Sequence, residues 1–176
     1  MNPYRSLYLL TFIGLVIIST YFFGMSSNSN RLPEDAVIDH IVVEKSQRQM
    51  HVYFGDSLLK TYPIALGFSP VGHKEVEGDG KTPEGLYYID SKNPNSAYHL
   101  NLGVSYPNEQ DRTHAEALGQ SPGGDIKIHG LKNGVGFIGS AHRQQDWIAG
   151  CIAVTNEEME ELYRSVAIGT PIEIKP

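Results

Sequence analysis

The sequence predicts a mostly β domain of the α+β class, folded as a β-sandwich or mixed sheet with one main helix, and preceded by an N-terminal membrane helix. Three observations predict this organisation. Seven short segments rich in β-branched and aromatic residues are separated by turn residues. One segment near the carboxyl end has a helical apolar pattern, and the chain starts with a long uncharged apolar run.

Residues 1–25 are predicted to form a transmembrane anchor. No residue from Ser6 to Asn30 is charged, and Leu7–Phe23 is mostly apolar. As a helix this run would extend roughly 26 Å at about 1.5 Å per residue, against a hydrocarbon core of about 30 Å. Arg5 before the run favours a cytoplasmic amino terminus and an outward-facing domain. The alternative is a cleaved signal peptide, although no clear small-residue cleavage site follows Phe23.

Residues 26–36 are polar, contain a proline, and are predicted to form a linker to a domain at 37–176. The domain begins with three apolar segments, VIDHIVVEKS, RQMHVYF and SLLKTYPIAL, which are interrupted by turn-like breaks at 45–47 and 55–56. These segments predict three antiparallel strands. Further strands are predicted at 85–90, 126–130, 150–154 and 170–176.

The main helix is predicted directly after residue 154. Thr155 and Glu158 have the spacing of a capping box. The apolar residues that follow recur at helical intervals, namely Met159, Leu162, Tyr163 and Val166. Residues 67–84 and 91–125 show no regular pattern and are predicted to be long loops, which often carry substrate sites.

The charge balance excludes some partners. The chain has 14 basic and 20 acidic residues, and without Arg5 the remaining 13 basic residues leave the exported part at 13 − 20 = −7. An acidic surface repels nucleic acid and anionic lipid, so neither is predicted to bind the domain.

The only cysteine, Cys151, follows Gly150 at the junction between a predicted strand and the helix. A thiolate there attacks a substrate carbonyl if a base is near and backbone N–H groups hold the oxyanion. His129, at the end of the segment IKIHG, is the candidate base. The alternative for Cys151 is a small buried core residue. Thiol labelling would separate the two, because a buried structural cysteine should label slowly with the ordinary pKa of about 8.5 and an activated thiol should label with a pKa well below it.

Two other kinds of site are disfavoured. The segment EGDGKTPEG contains Gly-Lys-Thr, but Glu75 stands where a phosphate loop needs a glycine, and a predicted strand follows. His129, His142 and Cys151 would be the ligands of a metal, but their spacing matches no familiar zinc motif. No metal and no cofactor are therefore predicted.

These motifs together resemble the L,D-transpeptidase catalytic domain, the YkuD-like family of bacterial cell-wall enzymes. The resemblance covers most of residues 40–175 and rests on GDGKTPEGLYYI, IKIHG, GCIAVT and GTPIEI. It implies that Cys151 is the nucleophile, that His129 donates and accepts the proton, and that the Gly130 carbonyl orients the imidazole. It also implies that the backbone N–H groups of Gly150 and Cys151 hold the oxyanion.

By resemblance, the substrate is a peptidoglycan stem tetrapeptide, which forms a thioester on Cys151 and releases D-alanine during wall remodelling or cross-linking. The family often has a histidine directly before Gly-Cys and an arginine two residues after the cysteine; Ala149 and Ala153 stand there instead. A peptidoglycan hydrolase of the same fold and a catalytically silent envelope scaffold therefore remain alternatives. The expected location is the periplasmic face of the inner membrane, or the periplasm after signal cleavage.

Four further residues are candidates for substrate contact. Trp147 and Asp146 come shortly before the cysteine, and Tyr106 and Arg112 lie in the second long loop. The alternative for each is a structural role in anchoring, turns or caps. For His142, a solvated loop position is favoured over contact with the site.

Overall fold

The computed structural model describes residues 31–176. The predicted membrane segment lies outside the described residues, as does the first part of the linker. Within the described range, no helix is both long and apolar enough to cross a bilayer.

Eight strands in residues 31–176 form one mixed sheet. They are β1 (His40–Glu44), β2 (Gln49–Phe54), β3 (Ser57–Pro63), β4 (Gly85–Ser96), β5 (His99–Val104), β6 (Lys127–His129), β7 (Ile152–Ala153) and β8 (Pro171–Lys175). Their order is β3-β2-β1-β8-β4-β5-β6-β7. The pairs β1–β8 and β6–β7 are parallel and the other neighbours are antiparallel. The mixed sheet of the predicted fold is confirmed.

All seven segments predicted as strands contain one. Alternation of apolar residues explains why, since Ile41 and Val43 of β1 and Ile172 and Ile174 of β8 are all buried in one core. The core occupies one face of the sheet, and the helix after Cys151 contributes to it.

The predicted main helix is confirmed at Asn156–Ser165. It is named α2 because helix α1 (Glu109–Ala117) precedes it in the chain. The Glu158 N–H donates to the Thr155 hydroxyl, and the Thr155 N–H donates to the Glu158 carboxylate over 2.9 Å. Met159 and Leu162 are buried in the core. Packing of this face is the main source of stability for so short a helix.

The stretch 91–125 is more ordered than predicted. β4 continues to Ser96, β5 follows, and α1 (Glu109–Ala117) comes next, so the predicted main helix is accompanied by a second α-helix and by a 3₁₀ segment (Gly136–Gln144). A capping box between Asn108 and Asp111 begins α1. Its apolar signal is weak because Asp111 and Ala115 are its only buried residues. Residues 67–84 contain no helix or named strand, as predicted.

The sheet bends at β4. The first part of β4 pairs with β8 and its last part with β5, with an irregularity between Ile89 and Ser91. The two ends of the sheet approach each other, since Ala65 beyond β3 bridges Ala153 in β7. The segment before Cys151 therefore lies against the loop that follows β3.

Candidate active site

A cleft lies on the face of β5 and β6 that points away from the core. Leu102 and Ile128 face the core, whereas their neighbours Asn101, Lys127 and His129 line the cleft. The cleft has a volume of about 500 Å³, and its other walls include Tyr98, Asp125, Trp147, Ile148 and Cys151. The fold thus places His129 and Cys151 in one cleft.

His129 ends β6 and is only 4% exposed. Its Nδ1 lies 2.7 Å from the Gly130 carbonyl oxygen. A carbonyl only accepts hydrogen bonds, so Nδ1 carries the proton and Nε2 of the neutral ring keeps a free lone pair. The ring also packs against Tyr98, with centroids 4.8 Å apart, and against Trp147 at 6.0 Å. These contacts fix both the tautomer and the ring orientation.

The positions of Gly130 and Gly150 require glycine. A Cβ on Gly130 would lie 2.8 Å from the Asn156 Oδ1, and a Cβ on Gly150 would lie 2.7 Å from the Lys81 carbonyl oxygen. Gly150 also has a backbone φ of +113°, a value that residues other than glycine rarely adopt. Within residues 31–176, neither the Gly150 N–H nor the Cys151 N–H donates to a protein acceptor. Both are therefore available to an oxygen of a ligand.

The Cys151 thiol is half-buried, and its Sγ donates a long hydrogen bond of 3.6 Å to the Asp125 carbonyl oxygen. Burial raises the pKa of the Cys151 thiol above its ordinary value, and the N–H and charge of Lys127 oppose this only in part. This direction is opposite to the depressed pKa that an activated, preformed thiolate would have, so the resting thiol is protonated at neutral pH.

Burial acts on His129 in the opposite sense. It lowers the pKa of His129 below the ordinary imidazole value, although the hydrogen bond to Gly130 favours the charged form. At neutral pH the cleft therefore holds a neutral thiol and a neutral imidazole. Such a pair does chemistry by general-base catalysis, in which the thiol loses its proton as it attacks.

Of the two candidate residues before the cysteine, Trp147 lines the cleft and Asp146 does not. Trp147 lines the cleft, with its ring edge-on to His129. The Asp146 carboxylate instead accepts from the Arg48 Nη2 at 2.8 Å and from the Leu66 N–H at 2.9 Å. Asp146 therefore anchors its segment to the start of the domain, and we leave it out of the proposed site.

Tyr106 and Arg112 do not line the cleft either. Tyr106 is a buried core residue whose hydroxyl donates to the Pro122 carbonyl oxygen at 2.9 Å. Arg112 is exposed on α1. We leave both out of the proposed site. Sequence reasoning missed Asn101 and Lys127, although their alternation with the core residues of β5 and β6 is the signal that would have found them.

His142 is not the solvated residue that the sequence favoured. It is 6% exposed and lies edge-on to Trp147, with ring centroids 6.5 Å apart. Burial lowers the pKa of His142 to about 4, so the ring is neutral at neutral pH. It adjoins a separate hollow that shares the walls Tyr98 and Trp147 with the cleft. In residues 31–176, no three His, Cys, Asp or Glu side chains are placed to ligate a metal ion together.

Fold and cleft together define a domain that holds one cysteine and one histidine in a cleft of a curled mixed sheet. The family model of the L,D-transpeptidase catalytic domain, YkuD, matches residues 38–174. The chain therefore belongs to this family.

Individual relatives are distant. YafK of Escherichia coli K12, named as an L,D-transpeptidase, is 28% identical over 134 residues, which cover 72% of this chain and 46% of YafK. YkuD of Bacillus licheniformis, also named as an L,D-transpeptidase, is 29% identical over 147 residues, which cover 81% of this chain and 68% of that protein. The structure of the helical cell shape determining protein Pgp2 from Campylobacter jejuni is 24% identical and superposes with a TM-score of 0.59, covering 90% of this chain and 55% of Pgp2. The likeness to Pgp2 concerns the fold alone, and the chain spans about half the length of YafK and of Pgp2.

Proposed function

We propose that the domain is a cysteine acyltransferase of L,D-transpeptidase type, which forms a thioester between Cys151 and a peptidoglycan stem tetrapeptide and releases D-alanine. One observation carries the proposal. His129 shares the cleft with the thiol and is held by Gly130 in the tautomer whose Nε2 accepts a proton. Family membership supports the choice of a peptidoglycan peptide as substrate.

The proposed first step breaks the S–H bond and the C–N bond to D-alanine, and it forms the S–C bond of the thioester and an N–H bond on D-alanine. The Cys151 thiol gives its proton to the His129 Nε2 while its sulfur attacks the carbonyl carbon that precedes the terminal D-alanine. The N–H groups of Gly150 and Cys151 stabilise the oxyanion of the tetrahedral intermediate. The imidazolium then protonates the nitrogen of D-alanine, the C–N bond breaks, and a thioester remains.

The second step regenerates the thiol. An amine of another stem peptide attacks the thioester carbonyl, and His129 accepts a proton from the amine. The C–S bond then breaks, and the departing Cys151 sulfur takes that proton from His129. The product is a cross-link. If water is the acceptor, the same two groups perform hydrolysis and the product is a shortened peptide.

Intact-mass spectrometry of the full-length chain with a disaccharide-tetrapeptide tests this proposal. We expect a transient adduct on the protein together with free D-alanine, because a thioester is the intermediate. Adding an amine acceptor is expected to convert the adduct into a cross-linked product. If the product instead forms without any amine, the reaction is hydrolysis. A folded protein that forms no adduct and releases no D-alanine would contradict the enzyme and favour a silent scaffold.

We further propose that residues 1–25 anchor the protein in the inner membrane and that the domain works in the periplasm. The uncharged apolar run Leu7–Phe23 supports this location. In fractionated cells we expect the full-length chain to stay in the membrane pellet after carbonate extraction. Replacing residues 1–25 with a cleavable signal peptide should move it to the soluble periplasmic fraction, and an equally soluble wild-type chain would contradict the anchor.

A further inference from the structure

Lys127 brings a positive charge into the candidate active site. Of the residues within 31–176 that line the cleft, it is the only basic one besides His129, which is neutral at neutral pH. Its side chain is 30% exposed, so a ligand in the cleft reaches it. The only acidic residue of the same described lining is Asp125. A negatively charged substrate group therefore has one cationic partner in the cleft.

The ion pair between Lys127 and Asp125 leaves the ammonium available. The Lys127 Nζ lies 2.6 Å from the Asp125 carboxylate, whose side chain is 82% exposed. Exposed ion pairs contribute little because water screens both charges. An ammonium has three N–H donors, and within residues 31–176 this one has no second carboxylate partner. A ligand carboxylate can thus share the ammonium with Asp125 or replace it.

The register of the sheet places Lys127 next to the thiol. Ile128 in β6 pairs with Ile152 in β7. One position earlier along the chain, Lys127 is therefore the neighbour of Cys151. Neighbouring strands are about 4.8 Å apart, and alternate residues of a strand project to the same face. Both side chains line the cleft accordingly, so the lysine side chain starts beside the sulfur that attacks the substrate.

The proposed first step brings a carboxylate to the same place. His129 gives its proton to the nitrogen of the departing D-alanine, so this nitrogen lies next to the imidazole. The carboxylate carbon of a terminal amino acid is two bonds from its nitrogen, a distance of about 2.5 Å. Lys127 and His129 project from the same face of β6 at positions about 6.6 Å apart. The terminal carboxylate therefore lies within reach of the lysine side chain.

We infer that Lys127 binds the terminal carboxylate of the acyl donor and so selects peptides that end at the residue to be released. The inference rests on the proposed function. Asp125 opposes this binding, because its carboxylate repels the carboxylate of the donor and occupies the same ammonium. The two residues therefore have opposite effects on the selection of the donor.

Lys127 also acts on the thiol, and the test has to separate the two effects. The N–H and the charge of Lys127 oppose the rise that burial causes in the pKa of Cys151. Loss of this effect changes the reaction with every donor to the same extent. Loss of carboxylate binding slows only the donors that carry the carboxylate. A pair of donors that differ in this one group distinguishes the two.

The experiment compares a stem tetrapeptide that ends in a carboxylate with the same peptide ending in a carboxamide. The full-length proteins are the wild type, Lys127→Met and Asp125→Asn. Since the carboxamide also changes the leaving nitrogen, the quantity compared between proteins is the ratio of kcat/KM for the two donors. We expect Lys127→Met to lower this ratio at least about tenfold, the loss of a hydrogen bond between charged groups. Asp125→Asn should raise it about threefold, the loss of an exposed competing charge.

Two control variants and a melting experiment accompany the test. Lys175→Met breaks an exposed pair with Glu173 on β8, where Nζ lies 3.2 Å from the carboxylate, and it should keep both rates. Lys127→Arg should keep most of the wild-type ratio, because it keeps the charge. Thermal denaturation shows which variants are folded. Asparagine adopts the φ of +62° found at Asp125 as readily as aspartate does, so Asp125→Asn carries the test if Lys127→Met does not fold.

Two results would overturn the inference. One is a wild-type ratio in Lys127→Met, with both donors slowed equally or not at all, which would assign Lys127 to the thiol or place the recognised carboxylate elsewhere in the peptide. The other is a ratio that stays the same or falls in Asp125→Asn. Failure of the proposed function looks different, because the wild type would then form no adduct with either donor.

Discussion

Replacing Cys151 with alanine is expected to abolish acyl transfer and to leave the fold intact. The thiol is the proposed nucleophile, so D-alanine release should fall by at least about 10³-fold. The variant loses the long hydrogen bond of 3.6 Å to the Asp125 carbonyl oxygen and the packing of the sulfur against Ala65, Ile148 and Ala153. We expect the free energy of unfolding to fall by about 1 kcal/mol. Adduct formation, D-alanine release and thermal denaturation measure these effects.

A second variant controls for the presence of a thiol as such. Since Cys151 is the only cysteine, Cys151→Ala combined with Ala167→Cys moves the thiol to an exposed position. This protein should react with alkylating reagents but form no adduct with the tetrapeptide. If Cys151→Ala released D-alanine at the wild-type rate, the nucleophile would have to be another group.

The features that the sequence predicted are those with a local signal. The strands at the start and end of the domain follow from their own apolar alternation, and α2 follows from its capping box and helical spacing. β5 has the same alternation in Leu100, Leu102 and Val104. It was overlooked because it is short and lies between polar, turn-like residues. α1 was missed because only Ala115 among its apolar residues is buried.

The features that escaped prediction depend on contacts between distant parts of the chain. Asp146 looked like a site residue because it is close to Cys151 in sequence, yet its partner Arg48 is 98 positions away. His142 looked solvated because its neighbours are polar, whereas packing against Trp147 buries it. The Cys151 and His129 pair was found because a single cysteine after a glycine and a histidine ending a strand are informative individually. Their protonation states depend on burial, which the sequence does not show.

Replacing His129 with alanine is expected to lower kcat/KM by roughly 10² to 10⁴-fold, the usual contribution of a general acid and base. His51→Ala is the matched control, because it removes a partly buried histidine that bonds to Thr61 at 2.8 Å in another part of the sheet. That variant should keep wild-type activity.

The pH dependence of wild-type kcat/KM tests the protonation states directly, because it reports the ionisations of the free enzyme. Burial lowers the pKa of His129, so the ring stays a neutral base to a lower pH, and the acid limb should lie below the ordinary imidazole pKa of about 6.5. Burial raises the pKa of Cys151, so alkylation by iodoacetamide should increase with pH through a midpoint above about 8.5. Rapid alkylation at pH 6, together with a loss of kcat/KM at higher pH as an imidazolium gives up its proton, would instead describe a thiolate paired with an imidazolium. The first step would then be attack by a preformed anion, and His129→Ala would raise the alkylation midpoint because the positive charge next to the sulfur would be gone.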